Sequence, residues 1–220
     1  MDFWYSVSKG ICLAYTRILV KGYQVYGGEN LVPGPKIIVA NHPNASDAFY
    51  LPFIIEEKLH FFFQESLLKV PIIGLLLKRS DQIPVSAGRR KEAISKACKK
   101  LSQGNVVVIF PEGTLSHGND IYRGKTGAAN LVLESGVPII PVGFYVPNEN
   151  ARMIQNKRNG GNRAGRWQFG GRCIIQIGEP WDLDLALYPN RSHQDMRNIT
   201  EEMMTRIQNL VRMAEESVNK

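Results

Sequence analysis

The stretch KIIVANHPNASD, residues 36–47, decides the fold. The apolar run IIVA after Lys36 is typical of a short strand that is buried on both faces of a parallel sheet. His42 follows this strand almost at once, and Asp47 comes four intervening residues later. Because open α/β sheets build their sites beyond the carboxyl ends of the strands, the sequence places a histidine and a carboxylate where a site is expected.

A histidine and a carboxylate at this spacing have the parts of a general base and the group that orients it. The carboxylate of Asp47 can accept a hydrogen bond from one ring nitrogen of His42, which leaves the other nitrogen free to take a proton from a hydroxyl. A structural alternative stays open. Asn44 is a favourable N-cap, and Asp47 three residues later would stabilise a helix start, so His42 could be an ordinary loop residue.

A second strand with a polar end lies about seventy residues downstream, in VVVIFPEGT, residues 106–114. Here Glu112 and Gly113 follow a continuous apolar run, and glycine lets a backbone approach a ligand closely. By itself this turn could equally hold a solvated glutamate. A third strand of the same kind is GVPIIPVGF, residues 136–144.

The remaining segments alternate between strands and helices, which predicts a single α/β domain with a mixed, largely parallel sheet flanked by helices. One helix is expected to run from Asn44 through DAFYLPFII. A basic amphipathic helix is expected over residues 88–103, with Gly104 ending it. The other predicted strands and helices are HFFFQ (60–64), a helix near SLLKVPIIGLLLKR, DQIPV (81–85), a helix over 124–135, RCIIQIGEP (172–180) and a helix over 192–218.

Taken in order, these motifs resemble the glycerolipid acyltransferase family that includes 1-acylglycerol-3-phosphate (lysophosphatidic acid) acyltransferases. NHPNASD resembles the family's histidine–four–aspartate block, FPEGT its second signature block, and GVPIIPV its valine–proline block. VPIIGLLLKRSDQIPV, residues 70–85, resembles the block that remains. The resemblance covers residues 30–145 and implies an acyltransferase-like α/β fold.

The resemblance also implies a reaction, which is transfer of an acyl chain from acyl-CoA or acyl-carrier protein to a lysophospholipid hydroxyl. The implied acceptor is 1-acylglycerol 3-phosphate and the product phosphatidic acid, in phospholipid biosynthesis. Glycerol 3-phosphate, another lysophospholipid or a lyso-aminolipid remain alternative acceptors. His42 would be the base and Asp47 its orienting partner, while Glu112, Gly113 and Thr114 would shape acceptor binding. No cofactor beyond the thioester co-substrate, no metal and no covalent enzyme intermediate are expected.

The cation that meets the acceptor phosphate is open at this stage. The family usually places an arginine shortly after the block that corresponds to IPV, whereas Val85 is followed here by Ser-Ala-Gly before two arginines. The candidates are Lys78, Arg79, Arg89, Arg90 and Lys125. Each could instead be part of a solvated helix face or turn.

The net charge of +7 predicts an anionic partner. Nucleic acid is not expected, since no zinc-knuckle spacing, recognition-helix motif or aromatic RNA-binding signature is present. The segment 1–29 has apolar residues at helical spacing with interspersed lysine and arginine, which predicts an amphipathic membrane-associating helix ahead of an acyltransferase domain over 30–220. Packing of this helix on the domain's own core is the alternative.

The location follows from the same features. With three widely spaced cysteines, which suggest a reducing compartment, the expected location is the cytoplasmic face of a membrane, peripheral or monotopic. A non-catalytic membrane-binding module is the rival of a different class. The insert over 148–172 has many glycines and arginines. It predicts a hairpin or lid that contacts lipid headgroups or donor phosphates, or else a solvated loop.

Overall fold

In a computed structural model of the chain, residues 3–116, 123–156 and 163–218 are described. They form six α-helices and nine strands. The helices are α1 (Phe3–Ile18), α2 (Leu51–Ile54), α3 (Pro71–Arg79), α4 (Arg90–Ser102), α5 (Gly127–Ser135) and α6 (His193–Val218). The strands are β1 (Tyr23–Tyr26), β2 (Lys36–Ala40), β3 (Leu59–Gln64), β4 (Ile83–Val85), β5 (Val106–Ile109), β6 (Ile139–Tyr145), β7 (Ala151–Asn156), β8 (Arg163–Gln168) and β9 (Cys173–Ile177).

Seven of the strands form one sheet in the order β1-β9-β6-β2-β5-β3-β4. The five strands from β6 to β4 are parallel to one another, whereas β9 pairs antiparallel with β6 and β1 pairs parallel with β9. Strands β7 and β8 form a separate antiparallel hairpin. The prediction of a mixed, largely parallel sheet flanked by helices is therefore confirmed.

Strand β2 shows why both faces of the sheet carry helices. Alternate residues of a strand point to opposite faces. Ile37 and Val39 accordingly pack into the core shared with α4, α5 and α6, while Ile38 and Ala40 pack into the core on the other face. Every residue of β2 is buried, as the continuous apolar run predicts. β2 is thus a central strand with a fixed position in both cores.

Several predicted helices are confirmed in detail. The inward residues expected for the basic helix are all buried in α4, namely Ala93, Ile94, Ala97 and Leu101. Helix α5 ends at Gly136, whose φ of 67° is the left-handed conformation that glycine adopts without strain. The segment 1–29 contains α1 and also β1, which is an edge strand of the main sheet.

The single helix predicted from Asn44 through residue 55 is wrong. The chain instead makes a 3-10 turn over Asp47–Phe49 and then the short helix α2. Two causes are visible. The carboxylate of Asp47 is bound by Asn44, which fixes the loop, and Pro52 has no N–H to continue a helix that began before it.

Candidate active site

The two motif loops meet because their strands are neighbours. Strands β2 and β5 are parallel, with Val39 beside Ile109, so the loops that follow them begin at the same edge of the sheet. The backbone N–H of His42 donates to Oε1 of Glu112 at 2.9 Å. The carbonyl of His42 accepts from the N–H of Ser116 at 3.0 Å. The second loop therefore holds the backbone of His42 from both sides of the residue.

The side chains of His42 and Asp47 are in contact, with 3.3 Å between Nδ1 and Oδ2. The Asp47 side chain is fully buried, whereas that of His42 is 19 % exposed. Nδ1 is the nitrogen that donates when Asp47 is ionised, so the free pair of electrons is on Nε2. Within the described part of the chain, no side chain or backbone group bonds to Nε2. The geometry is that of a base held by an orienting carboxylate, with its reactive nitrogen open.

Asp47 has its own hydrogen bonds, which come from Asn44. The N–H of Asn44 donates to Oδ2 at 2.7 Å, and its side-chain amide donates to Oδ1 at 3.3 Å. Burial raises the pKa of Asp47, and the hydrogen bonds from His42 and Asn44 offset only part of that effect. Asn44 is thus a carboxylate ligand within the loop, a role that its interpretation as a helix cap did not anticipate.

The imidazole of His42 is also held by stacking. It lies on the ring of Phe110 with 4.0 Å between the ring centroids and 12° between the ring planes. Phe110 is the residue that links β5 to the second loop, so the same loop positions both the backbone and the ring of His42. The stacked ring of Phe110 and the carboxylate of Asp47 together leave the imidazole little freedom to rotate.

The three residues expected to shape acceptor binding differ in exposure. Glu112 is 2 % exposed and its carboxylate ties the two loops together. Gly113 and Thr114 are exposed. Gly113 has a φ of 67°, which places this turn in the left-handed region that disfavours side chains. Gly113 and Thr114 therefore lie at the mouth of the site, and Glu112 beneath it.

Of the five cations considered as phosphate contacts, the structure brings Lys125 to these loops. Its N–H donates to the carbonyl of Pro111 at 2.8 Å. Its Nζ lies 2.5 Å from where a Cβ on Gly113 would stand, and its side chain is exposed. Among the described residues, no acidic side chain forms an ion pair with Lys125.

The other four cations lie on elements other than these two loops. Lys78 is exposed in the last turn of α3. The guanidinium of Arg79 lies over the ring of Trp4, 5.5 Å from its centroid. Arg89 pairs with Glu65 at 2.9 Å and with Glu92 at 2.7 Å. Arg90 is exposed at the first position of α4. Their predicted role in phosphate binding gains no support from these contacts, and it stays a prediction.

The sequence interpretation missed the contribution of the insert over 148–172. The predicted hairpin is confirmed as β7 and β8; residues 157–162 lie outside the described ranges, as do 117–122 of the turn beyond the second loop. β8 lies against the first loop, because the N–H of Ala45 donates to the carbonyl of Arg166 at 2.8 Å. Arg166 itself is only 6 % exposed.

An aromatic residue of β8 also packs against α1 and against the 3-10 turn that follows the first loop. Trp167 lies 6.1 Å from Phe49 and 5.9 Å from Tyr15 between ring centroids. The hydroxyl of Tyr15, on α1, donates to the carbonyl of Gln168 at 2.6 Å. A tryptophan between glycines in an otherwise basic insert was the available signal that this segment packs inward. β8 thus connects α1 to the segment that carries His42 and Asp47.

Fold and site together define an α/β protein with a buried aspartate behind an accessible histidine at the carboxyl edge of a parallel sheet. A profile of the acyltransferase family matches residues 22–145, more than half of the chain. The chain therefore belongs to the acyltransferase family.

Individual relatives agree with this assignment. Over 172 residues, the chain is 26 % identical to the 1-acyl-sn-glycerol-3-phosphate acyltransferase of Haemophilus influenzae, covering 76 % of this chain and 66 % of that protein. It is 32 % identical over 177 residues to the protein of the same name from Saccharomyces cerevisiae, covering 77 % and 55 %. The chain thus spans about half to two thirds of the length of these curated relatives.

A solved structure shares the fold. It is the 1-acyl-sn-glycerophosphate (LPA) acyltransferase PlsC from Thermotoga maritima, with a TM-score of 0.70 and 23 % sequence identity. The match covers 98 % of this chain and 80 % of the solved one.

Proposed function

We propose that the protein transfers an acyl chain from a thioester, acyl-CoA or acyl-carrier protein, to the free hydroxyl of 1-acylglycerol 3-phosphate, giving phosphatidic acid. The observation that carries this proposal is the contact of 3.3 Å between Nδ1 of His42 and Oδ2 of Asp47, with Nε2 open. Membership of the acyltransferase family supports the reaction class. The names of the curated relatives support the acceptor.

The proposed chemistry uses one base and no covalent enzyme intermediate. Nε2 of His42 takes the proton of the acceptor hydroxyl as its oxygen attacks the thioester carbonyl, and Asp47 stabilises the imidazolium that forms. The tetrahedral intermediate then collapses, the C–S bond breaks, and the imidazolium returns the proton to the leaving thiolate. Backbone N–H groups of the second loop are candidates to stabilise the oxyanion.

Lys125 is the proposed contact for the acceptor phosphate. It is exposed, and its side chain lies against Gly113 in the space that a Cβ at that position would need. Replacing Lys125 by glutamine is expected to lower kcat/KM for the acceptor about tenfold, mostly through KM, because a charge-assisted hydrogen bond is lost. Lys99→Gln, which removes an exposed charge from α4, is the matched control and is expected to change little.

The decisive experiment measures thiol release from a long-chain acyl-CoA or acyl-carrier protein, with and without 1-acylglycerol 3-phosphate. His42→Ala is expected to lower acceptor-dependent release by about 10³-fold, since a general base contributes on this scale. His193→Ala, which removes an exposed histidine at the start of α6, is the control and keeps full activity.

The assay distinguishes the proposed mechanism, a different acceptor and a non-catalytic protein. Full activity in His42→Ala would overturn the mechanism. Release that depends on glycerol 3-phosphate or another lysophospholipid instead would replace the acceptor and keep the chemistry. A wild-type protein that releases no thiol with either donor and any of these acceptors would leave the non-catalytic membrane-binding module as the better account.

The protein is further proposed to bind the cytoplasmic face of a membrane peripherally, through α1 and α3. In the described ranges, no helix combines the length and the apolar character that crossing a membrane would need. The two helices pack together and expose large apolar side chains, which we call the α1–α3 face: Phe3 (71 % exposed), Ile11 (48 %), Ile18 (78 %), Ile72 (72 %), Ile73 (45 %) and Leu75 (47 %).

Exposed apolar residues on this scale mark interaction surfaces, and nearby cations favour an anionic lipid surface. Lys9, Arg17, Lys78 and Arg79 lie on the same two helices. The three cysteines, all free thiols, are consistent with a reducing compartment.

Co-sedimentation with vesicles tests the membrane proposal. The protein is expected to bind vesicles of phosphatidylglycerol and phosphatidylcholine more strongly than vesicles of phosphatidylcholine alone. Ile18→Asp and Ile72→Asp are each expected to weaken binding several-fold, because a charge cannot enter the apolar region without cost. Met213→Asp, at a site 51 % exposed on α6, is the control. Equal loss in all three variants would contradict docking by the α1–α3 face.

A further inference from the structure

The strand β8 contacts the loop that carries the proposed base at one specific point. Ala45 lies between His42 and Asp47 in the sequence, and its N–H donates to the carbonyl of Arg166 at 2.8 Å. Other hydrogen bonds of this segment join its own members, such as Asn44 to Asp47, or tie His42 to the second loop and Asn41 to Phe144 of β6. The bond to Arg166 therefore fixes the loop to an element outside both motif segments.

The side chain of Arg166 is unusual for an arginine because it is buried, with 6 % exposed. It donates to Oδ1 of Asn148 at 2.8 Å and to the carbonyl of Val146 at 3.4 Å. Burial lowers the pKa of Arg166, and the negative charge of Asp47 acts in the opposite direction. A buried cation and a buried carboxylate thus lie within electrostatic range, although no hydrogen bond joins them in the described contacts.

Apart from His42, whose hydrogen bond and charge lower the pKa of Asp47, the other groups around Asp47 supply no positive charge. Tyr15 of α1, Tyr50 and Cys173 of β9 all have pKa values raised by burial, and the charge of Asp47 raises them further. They are therefore neutral at neutral pH. Glu112, bonded to the N–H of His42, is an acid. Besides His42, Arg166 is a buried cation whose charge interacts with that of Asp47, and its backbone is bonded to the Asp47 loop at Ala45.

We propose that Arg166 is a positioning residue for the His42–Asp47 pair: its carbonyl holds the loop at Ala45, and its guanidinium keeps Asp47 ionised. This inference rests on the proposed function, because it assigns Arg166 to the support of the base. Arg166 does not contact the reacting atoms in this scheme. It acts through Asp47, which must be ionised to accept the Nδ1 hydrogen bond and to stabilise the imidazolium.

The test is the pH dependence of the pair. Removing a positive charge increases the proton affinity of a nearby carboxylate, so Arg166→Gln is expected to make the coupled pair take up its proton at higher pH. The pH below which kcat/KM declines, the acid limb of its pH profile, is expected to rise by on the order of one unit. The value of kcat at neutral pH is expected to fall. Arg166→Lys retains the charge and is expected to restore the wild-type limb.

A second variant covers the case in which Arg166→Gln does not fold. Asn148→Asp places an acid at the exposed residue that already bonds to the guanidinium, which neutralises Arg166 without removing it. It is expected to shift the acid limb in the same direction by a smaller amount. Gln208→Glu makes the same charge change on the exposed face of α6 and is expected to leave the limb in place.

NMR titration of the pair in the folded protein gives the same information without turnover. It separates failure of this inference from failure of the proposed function, because it needs no substrate. A higher titration midpoint in Arg166→Gln and Asn148→Asp, restored in Arg166→Lys, supports the proposal. A wild-type titration in both charge-altering variants, or loss of activity with an unchanged pH profile, would overturn it.

Discussion

Each end of strand β2 leads to an ionisable pair with one buried and one partly exposed member, and the two pairs differ in how their polar atoms are bonded. At the amino end, Lys36 is 1 % exposed, and its Nζ donates to Oε1 of Glu57 at 2.6 Å and to the carbonyl of Gly34 at 2.9 Å. At the carboxyl end, Asp47 is fully buried but His42 is 19 % exposed, with only Nδ1 engaged.

We interpret the amino-end pair as structural and, under the proposed function, the carboxyl-end pair as reactive. Glu57 also accepts from the N–H of Gly34 at 3.1 Å, so the amino-end pair closes a short loop through its own hydrogen bonds. In the carboxyl-end pair, Asn44 holds Asp47 by hydrogen bonds, but Nε2 of His42 has no hydrogen-bond partner among the described residues. Burial of a charged group therefore does not by itself indicate a functional site. A stronger indication is an anchored pair in which one nitrogen keeps a free lone pair.

The sharpest test of the comparison is Asp47→Asn. The amide cannot accept from Nδ1 with the same strength and cannot stabilise the imidazolium, so acyl transfer is expected to fall by about 10³-fold. Thiol release at saturating acceptor measures the effect. The thermal midpoint should fall only modestly, because asparagine has nearly the same volume. Near wild-type turnover would remove Asp47 from the mechanism.

At the other end of β2, Glu57→Ala is expected to show the reverse pattern. It leaves Lys36 buried without its partner, which costs about 3 kcal/mol of unfolding free energy. Turnover per folded molecule should stay within about twofold of the wild type, since Glu57 is far from the motif loops along the strand. Denaturant unfolding and the thiol-release assay measure the two effects.

Lys36→Met is the matched control for that substitution. It removes the buried charge and fills the space with an apolar side chain, and the Glu57 side chain, 26 % exposed, can turn to water. The expected loss of stability is smaller than in Glu57→Ala. A larger loss in Lys36→Met would mean that the ammonium stabilises the fold in its own right.

A smaller effect is expected at Gly113, on the open side of the site. An alanine there must adopt a φ of 67° and would bring Cβ to 2.5 Å from Nζ of Lys125. The backbone cost is about 1 kcal/mol, and displacement of Lys125 should raise KM for the acceptor several-fold. Gly88→Ala, where a Cβ meets open space, is the control. Equal kinetics in the two variants would contradict a role for this turn in acceptor binding.

The smallest predicted effect is the pH dependence of stability that Glu57 contributes. Burial acts to raise the pKa of Glu57, but the hydrogen bonds from Lys36 and from backbone N–H groups outweigh it and hold the pKa below its ordinary 4.5. A lowered pKa means that the stabilisation is present above 4.5 and is lost as the pH falls through the folded-state value.

Thermal midpoints between about pH 6 and about pH 3 measure this contribution. The decline toward acid is expected to be steeper in the wild type than in Glu57→Gln, which has no carboxyl group to titrate at that position. Parallel declines would show that the pair at the amino end adds nothing to acid sensitivity.

Much of the site could be predicted from the sequence because it lies in segments with local signals. The runs of β2 and β5 are apolar throughout, so both faces had to be covered, and His42 and Glu112 follow those runs directly. The carboxyl ends of parallel strands share one edge of a sheet. From this rule alone, the loops that follow β2 and β5 are expected to lie close to each other.

The cations could not be assigned in the same way. Arg79, Arg89 and Lys125 are equally basic in sequence, and what distinguishes them is partners from other elements: Trp4 for Arg79, Glu65 for Arg89, and the turn at Gly113 for Lys125. Such pairings join residues far apart in the chain, and no local pattern encodes them.

The sequence by itself determined six of the seven strands of the main sheet and the position of the histidine–aspartate pair, because periodicity and strand-end position are properties of contiguous residues. Only the tertiary structure decided that Asn44 binds Asp47 instead of starting a helix, and that β8 reaches the loop at Ala45. The physical reason is that a buried polar group must find its partner wherever the folded chain brings one. Asp47 finds its donors on Asn44, and the N–H of Ala45 finds its acceptor on Arg166, more than a hundred residues along the chain.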